Sequence, residues 1–234
     1  MCKKINLFLD ETGVDHQANI LGLCVVTIEE DNLDLVKKIN DKIDIDPESL
    51  SNPPIKHWAD DNIDARKCVC SYIRKMPISS YMIFSRRNGL KNKIEVIYNK
   101  LLSEILNPLI LKYSKRYKKN TEFIFNFEQI SKKKNKDFSF FKEILDKETE
   151  GVSREINIVS KKNSLIYLPD YFLGTFQRCV NKSEASIETW PERMLGQINS
   201  KIGLIKFNNL NNEVKRYERG DDINLFLQEV DNNL

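Results

Sequence analysis

Near its N-terminus the chain reads INLFLDETG at positions 5–13, an apolar run that ends at Asp10 and is followed by a turn signal, Thr12-Gly13. A short apolar run stopped in this way predicts a central β-strand. A second apolar run, Ile20–Ile28, follows after a polar loop of hairpin length. The two runs therefore predict an antiparallel pair of strands at the start of the fold.

The rest of the chain alternates extended and helical patterns. Further strands are predicted at 79–85, 122–127 and 156–160. Helices are predicted at 33–43, 63–73, 90–117, 137–147 and 168–181. Strands that alternate with helices are typical of parallel βαβ units. The order predicts an α/β fold with an RNase H-like mixed sheet, in which three antiparallel strands precede parallel βαβ units and helices flank the sheet.

One large domain explains this pattern best. Residues 1–182 are expected to form the RNase H-like domain, with a helical insertion at about 31–76. Residues 183–234 are expected to be a C-terminal extension packed on the same domain, with helices near 190–198 and 223–230.

Composition fits a chain of 234 residues with a well-buried core, since 41% of the residues are hydrophobic;. The 37 Lys and Arg residues nearly balance the 34 Asp and Glu residues, so net charge alone indicates no polyanionic partner;. Basic residues are nevertheless concentrated in two runs, at 112–119 and 132–136. This distribution permits a basic surface beside an acidic site.

The cysteines and the hydropathy pattern argue against several classes of protein. The five cysteines are odd in number, scattered and without C-x-x-C spacing, so neither disulfides nor a zinc site is predicted;. No apolar run approaches the roughly 18 residues of a membrane span, and the N-terminus begins with a strand pattern instead of a signal sequence. A cytoplasmic protein is expected, with no membrane partner.

Three carboxylates occupy positions where chemistry is expected. Asp10 ends the first strand, Glu128 ends the fourth, and Asp170 follows Pro169 in the first turn of the last core helix. If strands one and four are neighbours, Asp10 and Glu128 leave the sheet at the same end, and the helix can add Asp170. Carboxylates that converge repel one another unless a cation neutralises them. Magnesium or manganese suits such oxygen ligands, and two ions about 4 Å apart can cleave a phosphodiester.

Each carboxylate also has a purely structural explanation. Asp10 could belong only to a turn, Glu128 could mark the end of a strand, and Asp170 could favour the dipole of a helix N-terminus. Glu11 is counted among the candidate catalytic residues, although its side chain is expected on the face of the strand opposite to Asp10.

Four short motifs, in order, resemble the uncharacterised RNase H-like family known as domain of unknown function 3800. They are LFLDETG at 7–13, IKHWA at 55–59, FEQ at 127–129 and YLPDYFLG at 167–174. The resemblance spans positions 5 to about 182. It implies the RNase H-like fold and a nucleolytic activity that is itself only predicted for the family.

Several other residues are secondary candidates. His57 could assist proton transfer or contact the scissile phosphate, or could anchor the insertion beside Trp58. Arg178 shares a helix face with Asp170 and could hold a phosphate or form a structural salt bridge, while Gly174 is expected to permit close helix-to-sheet packing. The basic run Lys132, Lys133 and Lys134 could track a nucleic-acid backbone or form a solvated loop.

Two functions compete. The leading one is a divalent-metal-dependent nuclease acting on RNA or DNA, with Asp10, Glu128 and Asp170 as metal ligands. The main alternative is a catalytically inactive RNase H-like module that binds a partner protein or nucleic acid in a microbial defence or toxin system. A third keeps the metal but acts as a nucleotide phosphoesterase or in strand transfer.

Overall fold

The protein is an α/β fold built on one seven-stranded mixed sheet. The structure is a computed structural model that describes residues 2–12, 20–46, 54–86, 94–118, 120–128, 145–159, 165–180, 190–208 and 214–231, with the side chains of 94–96, 128 and 231 left out. The strands are β1 (Lys3–Thr12), β2 (Ile20–Glu29), β3 (Ser79–Arg86), β4 (Thr121–Glu128), β5 (Ser153–Val159), β6 (Ile202–Asn208) and β7 (Val214–Glu218). The helices are α1 (Glu30–Asp44), α2 (Ile63–Ile73), α3 (Ile94–Arg116), α4 (Tyr167–Val180), α5 (Trp190–Ile198) and α6 (Ile223–Asp231).

The strand order confirms the predicted mixed sheet. The order is β5-β4-β1-β2-β3-β6-β7, with β1, β2 and β3 pairing antiparallel in sequence. Strand β4 pairs parallel with β1, and β5 pairs parallel with β4. The carboxyl ends of β1, β4 and β5 therefore meet at one edge of the sheet, which is where ligands bind in many α/β proteins.

Helices cover both faces of the sheet. Because successive side chains of a strand point to opposite faces, one strand contributes residues to both cores. On β1, Leu7 and Leu9 pack towards α3, whereas Phe8 packs on the other face, against the cluster that includes α4. Strand β2 is buried along almost its whole length, as expected of a central strand with helices on both sides;. We refer to the two sides as the α3 face and the α4 face.

Most predicted elements are confirmed, with boundaries shifted by a few residues. Helices α1 and α2 lie between β2 and β3, where the sequence predicts a helical insertion. Of the helix predicted at 137–147, residues 137–144 lie outside the described part of the chain, and 145–148 are helical. The C-terminal helices are found at α5 and α6.

Two strands were not predicted. Strands β6 and β7 extend the sheet beyond β3, with β6 parallel to β3 and β7 antiparallel to β6. Residues after 183 thus contribute strands to the same sheet as the N-terminal residues.

Candidate active site

Asp10 lies near the carboxyl end of β1, on the α4 face. It pairs across the ladder with Cys24, whose side chain belongs to the core on that face. Burial raises the pKa of the Cys24 thiol, and the charge of Asp10 raises it further. One carboxylate oxygen of Asp10 accepts a 2.9 Å hydrogen bond from the backbone N–H of Glu11. The Asp10 side chain therefore stands at the end of the strand with one oxygen already oriented by the backbone.

Helix α4 reaches the same end of β1 through its polar side chains. The Thr12 hydroxyl donates a 3.0 Å hydrogen bond to Oε1 of Gln177. Position 177 lies seven residues after Asp170, which is two helical turns along the same face. This contact fixes α4 against β1, so that Asp170 belongs to the same side of the sheet as Asp10.

A short segment between α1 and α2, residues 54–61, lies against the N-terminal part of α4. The backbone N–H of Trp58 donates a 2.7 Å hydrogen bond to Oδ2 of Asp170. The imidazole Nε2 of His57 lies 4.0 Å from the same oxygen. The structure thus brings two predicted site residues, His57 and Asp170, together, although they are more than a hundred positions apart in sequence.

Asp60 orients His57. Its Oδ2 lies 2.6 Å from Nδ1 of the imidazole. The backbone N–H of Asp60 also donates to the carbonyl of His57, which closes a tight turn. With Nδ1 held by a carboxylate, Nε2 is the nitrogen that faces Asp170, the arrangement that fixes the ring of many functional histidines.

Asp61 fixes the segment to α4 through a second set of hydrogen bonds. It is 4% exposed and accepts hydrogen bonds from the backbone N–H of Ile55 at 2.6 Å and from the hydroxyl of Tyr171. Burial raises the pKa of Tyr171 well above its usual range, and Asp61 adds to this effect, so the phenol stays protonated and donates. The segment is therefore tied to α4 at two points, Asp170 and Tyr171.

The indole of Trp58 occupies the space that a side chain at position 174 would fill. A Cβ built on Gly174 would lie 2.2 Å from the Trp58 ring. Trp58 also packs edge-on against Tyr171, with ring centroids 5.5 Å apart. Gly174 therefore serves to admit Trp58, whereas the sequence suggested closer packing of α4 on the sheet.

Two arginines lie beside the site, each in contact with a tryptophan ring. The guanidinium carbon of Arg66 lies 4.6 Å from the Trp58 ring centroid and 5.7 Å from that of Trp190. The Nε of Arg66 donates a 2.8 Å hydrogen bond to the carbonyl of Trp58. Arg178 is exposed, and its guanidinium carbon lies 5.9 Å from the Trp190 ring. Positive charge therefore borders the segment that holds Asp170.

The remaining candidates are only partly brought together. Glu11 is one position further along β1 than Asp10 and pairs with Leu23, so its position lies on the α3 face, opposite Asp10. Glu128 ends β4 one residue after Phe127, the partner of Leu9, so that its backbone lies at the same sheet edge as Asp10. The side chain of Glu128 lies outside the described structure, as do all of Lys132, Lys133 and Lys134.

The described side chains include two of the three predicted metal ligands, Asp10 and Asp170. Among the described side chains, a set that omits Glu128, no group of three or more His, Cys, Asp and Glu residues is arranged to hold a metal ion. Asp10 and Asp170 offer the hard oxygen ligands that magnesium and manganese prefer. A three-carboxylate site would need Glu128 as well.

Comparisons with known proteins add no family: no protein-family model matches the chain, and no curated protein matches it significantly. The resemblance to the uncharacterised RNase H-like family therefore stays a prediction. None of the described helices is both long and apolar enough to cross a membrane.

The sequence did not single out Asp60, Asp61 or Arg66 as site residues. The spacing His57-x-x-Asp60 within a Pro-bounded segment was the available signal for Asp60. Arg66 carried no local signal, because its role depends on Trp58 and Trp190 meeting in the folded chain.

Proposed function

We propose that this chain is a divalent-metal-dependent nuclease that hydrolyses phosphodiester bonds in RNA or DNA. The observation that carries the proposal is the set of contacts made by the Asp170 carboxylate. One carboxylate oxygen is held by the Trp58 backbone and faced by His57, on the side of the sheet where Asp10 lies near the carboxyl end of β1. Such a combination of oriented carboxylates and an oriented imidazole suits acid-base chemistry on a phosphate.

Asp10, Glu128 and Asp170 are the residues that would hold magnesium or manganese, as one ion or two. When bound, the metal would polarise a phosphate oxygen and favour deprotonation of the attacking water. Carboxylates at strand ends and at a helix start are held by backbone that packs into two cores, which supports a rigid ligand set. Asp10 and Asp170 each have one oxygen oriented by a backbone N–H.

His57 would move a proton or contact the scissile phosphate. Asp60 holds its Nδ1, which leaves Nε2 as the atom that faces the carboxylate of Asp170. The His57 side chain is 29% exposed, so it can meet a substrate while remaining fixed by the turn. Asp60 would act through His57, as a positioning residue.

Arg66 and Arg178 would supply positive charge beside the site. Both guanidinium groups lie near tryptophan rings, and a guanidinium has five N–H donors;. Arg66 uses donors on the carbonyls of Trp58 and Ala59, which leaves others for a phosphate;. A nucleic-acid substrate is consistent with this border of positive charge.

A binding module without catalysis is the second candidate, and one observation favours it. The Asp170 oxygen already serves as the acceptor that fastens Trp58, and Asp61 fastens the same segment to Tyr171. Carboxylates used in this way can have a purely structural role. Under this alternative the chain would bind a partner protein or nucleic acid without cleaving it.

Calorimetric titration of manganese distinguishes the two candidates. The wild type, Asp10→Asn and Asp34→Asn would be titrated, and cleavage of mixed RNA and DNA oligonucleotides would be followed with manganese and with EDTA. Asn keeps an oxygen that can accept from the Glu11 N–H, so Asp10→Asn removes charge with little change of shape. Asp34 is an exposed carboxylate of α1 and serves as the matched control.

We expect manganese binding and cleavage in the wild type and in Asp34→Asn, and loss of both in Asp10→Asn. A folded wild type that binds no manganese and cleaves no nucleic acid would overturn the nuclease proposal and favour the binding module.

A further inference from the structure

A row of basic and hydroxyl side chains lies away from the candidate active site, on the α3 face at the N-terminal ends of β3 and β6. We call it the basic row, and define it as Lys112, Tyr81, Ser79, Arg219 and Lys201. Tyr81 pairs with Val25, which pairs with Leu9, so the row begins two strands from β1. Tyr81 belongs to the apolar cluster on the α3 face, opposite to Asp10.

Hydrogen bonds and ring contacts hold the row together. The Lys112 amine donates to the Tyr81 hydroxyl and lies 5.0 Å from the centre of the Tyr81 ring. Arg219 donates from Nη2 to the Ser79 hydroxyl at 2.9 Å. Gly203 admits the Tyr81 ring, because a Cβ there would lie 2.8 Å from it. The ring is thus fixed beside β6, and its hydroxyl accepts a hydrogen bond from Lys112.

The cations of the row form no ion pairs with the carboxylates that the structure describes. Within the described residues, the ion pairs include none with Lys112, Lys201 or Arg219, and the hydrogen bonds that Arg219 donates go to neutral oxygens of Ser79 and Ile202. Nearby carboxylates are engaged elsewhere: Glu29 with Arg116, Tyr117 and Lys3, Glu218 with Arg216, and Asp221 with the N–H of Glu218.

The pKa values of Lys201 and Tyr81 also reflect the positive charge of the row. Partial burial lowers the pKa of Lys201, and the neighbouring charge of Arg219 lowers it further. Burial raises the pKa of Tyr81, whereas the positive charges of Arg219 and Arg116 lower it. Arg219 therefore lies near both Lys201 and Tyr81, and like charges that neighbour one another in this way would be relieved by an anion;.

We propose that the basic row is a binding surface for the phosphate backbone of a nucleic acid, separate from the candidate active site. The contacts run in order from Lys112 through Tyr81 and Ser79 to Arg219 and Lys201. Exposed Lys115 in the last turn of α3 and exposed Lys118 just after the helix add further positive charge. A line of cations suits a linear polyanion better than a single small anion. The choice of nucleic acid as that polyanion rests on the proposed nuclease function, but binding requires no cleavage.

Fluorescence anisotropy with labelled 20-nucleotide single-stranded and duplex RNA and DNA, in EDTA, tests the proposal. The variant Lys112→Gln/Lys201→Gln removes two charges and keeps the hydrogen bonds of Arg219. The control Lys37→Gln/Lys38→Gln removes two exposed charges from α1. A third variant adds Arg219→Gln to the first, and circular dichroism reports folding.

We expect wild-type binding that weakens with salt, at least tenfold weaker binding for the first variant, and little change for the control. The slope of log affinity against log salt should fall by about 1.4–1.8 for the two lost charges, since each lost phosphate contact contributes about 0.7–0.9. Equal weakening in variant and control would overturn the proposal, as would no wild-type binding. Because EDTA abolishes metal-dependent cleavage, a failed nuclease test and a failed binding test remain distinguishable.

Discussion

Gly174 and Trp58 are in such close contact that no other residue fits at position 174 without movement, because a Cβ there would lie 2.2 Å from the indole. The same Trp58 holds Asp170 through its backbone N–H, one helical turn earlier. The packing of an apolar ring and the orientation of a candidate catalytic carboxylate are therefore coupled.

Gly174→Ala should destabilise the protein. Alanine is favoured over glycine by about 1 kcal/mol in a helix interior, but overpacking of a core costs about 1–3 kcal/mol and the contact is severe. We expect a net loss of up to about 2 kcal/mol in the free energy of unfolding, measured with urea. Displacement of Trp58 should also weaken the hydrogen bond to Asp170 and lower the proposed nuclease activity.

Gly196→Ala is the matched control, since a Cβ at position 196 of α5 meets nothing within 4 Å. This variant should be unchanged or more stable by up to about 1 kcal/mol. If both alanine variants were equally stable, Trp58 would not be packed against position 174.

Two tyrosines one turn apart on α4 should respond oppositely to loss of the hydroxyl. Tyr171 donates to the buried carboxylate of Asp61, so Tyr171→Phe should cost about 1–3 kcal/mol of stability;. The hydroxyl of Tyr167 is buried and has no hydrogen-bond partner within the described residues. Tyr167→Phe removes an unsatisfied polar group and should be neutral or stabilising by about 1 kcal/mol. Urea unfolding of both variants at neutral pH checks the contrast, which equal losses would contradict.

Asp60→Asn tests whether Asp60 positions His57. Loss of the charged partner at Nδ1 should lower the proposed nuclease activity about 10-fold, with the stability nearly unchanged because Asp60 is exposed;. The control is Asp64→Asn, which removes an exposed carboxylate paired with Lys67. The pH profile of activity should change shape in Asp60→Asn alone, and identical profiles in both variants would exclude a positioning role.

The sequence predicted the parts of the fold that local patterns specify. Strand β1 ends at a turn signal, β2 is apolar throughout, and α4 carries apolar residues at helical spacing. Strand β6 was missed although most of its residues are apolar, and Gly203 and Lys206 interrupt its apolar pattern. Only five residues long, β7 carries Lys215, Arg216 and Glu218, charges that blunt the edge of a sheet and resemble a loop;.

The candidate site was predictable only as separate residues. Asp10, His57 and Asp170 stood out from local motifs, but the bond from Trp58 to Asp170 joins positions 112 residues apart. The role of Gly174 depends on that same long-range contact, since its neighbour is the Trp58 ring. Tertiary packing therefore decides which atoms of the site meet, and no local pattern records it.

Alkaline pH should destabilise the protein through its buried acids. Burial raises the pKa of Cys70 to about 12, whereas an unfolded thiol titrates near about 8.5. Between these values the folded state binds one more proton than the unfolded state. The stability that Cys70 contributes is therefore fully present below about pH 8.5, and Cys70 alone lowers it by up to about 1.4 kcal/mol per pH unit above that. Cys24, whose pKa burial also raises, adds to this loss. Tyr167 and Tyr171, whose pKa values burial also raises, should steepen the loss above about pH 10;.

Urea unfolding between pH 8 and pH 11 measures this slope. Cys70→Ala should be less stable than the wild type at pH 8, because a buried side chain is shortened, but its stability should fall less steeply between pH 8.5 and pH 10. Cys2→Ala is the control, since Cys2 is an exposed thiol. The same slope in the wild type and in Cys70→Ala would mean that the Cys70 thiol titrates alike in the folded and unfolded chains, contrary to its burial within the core of the α4 face.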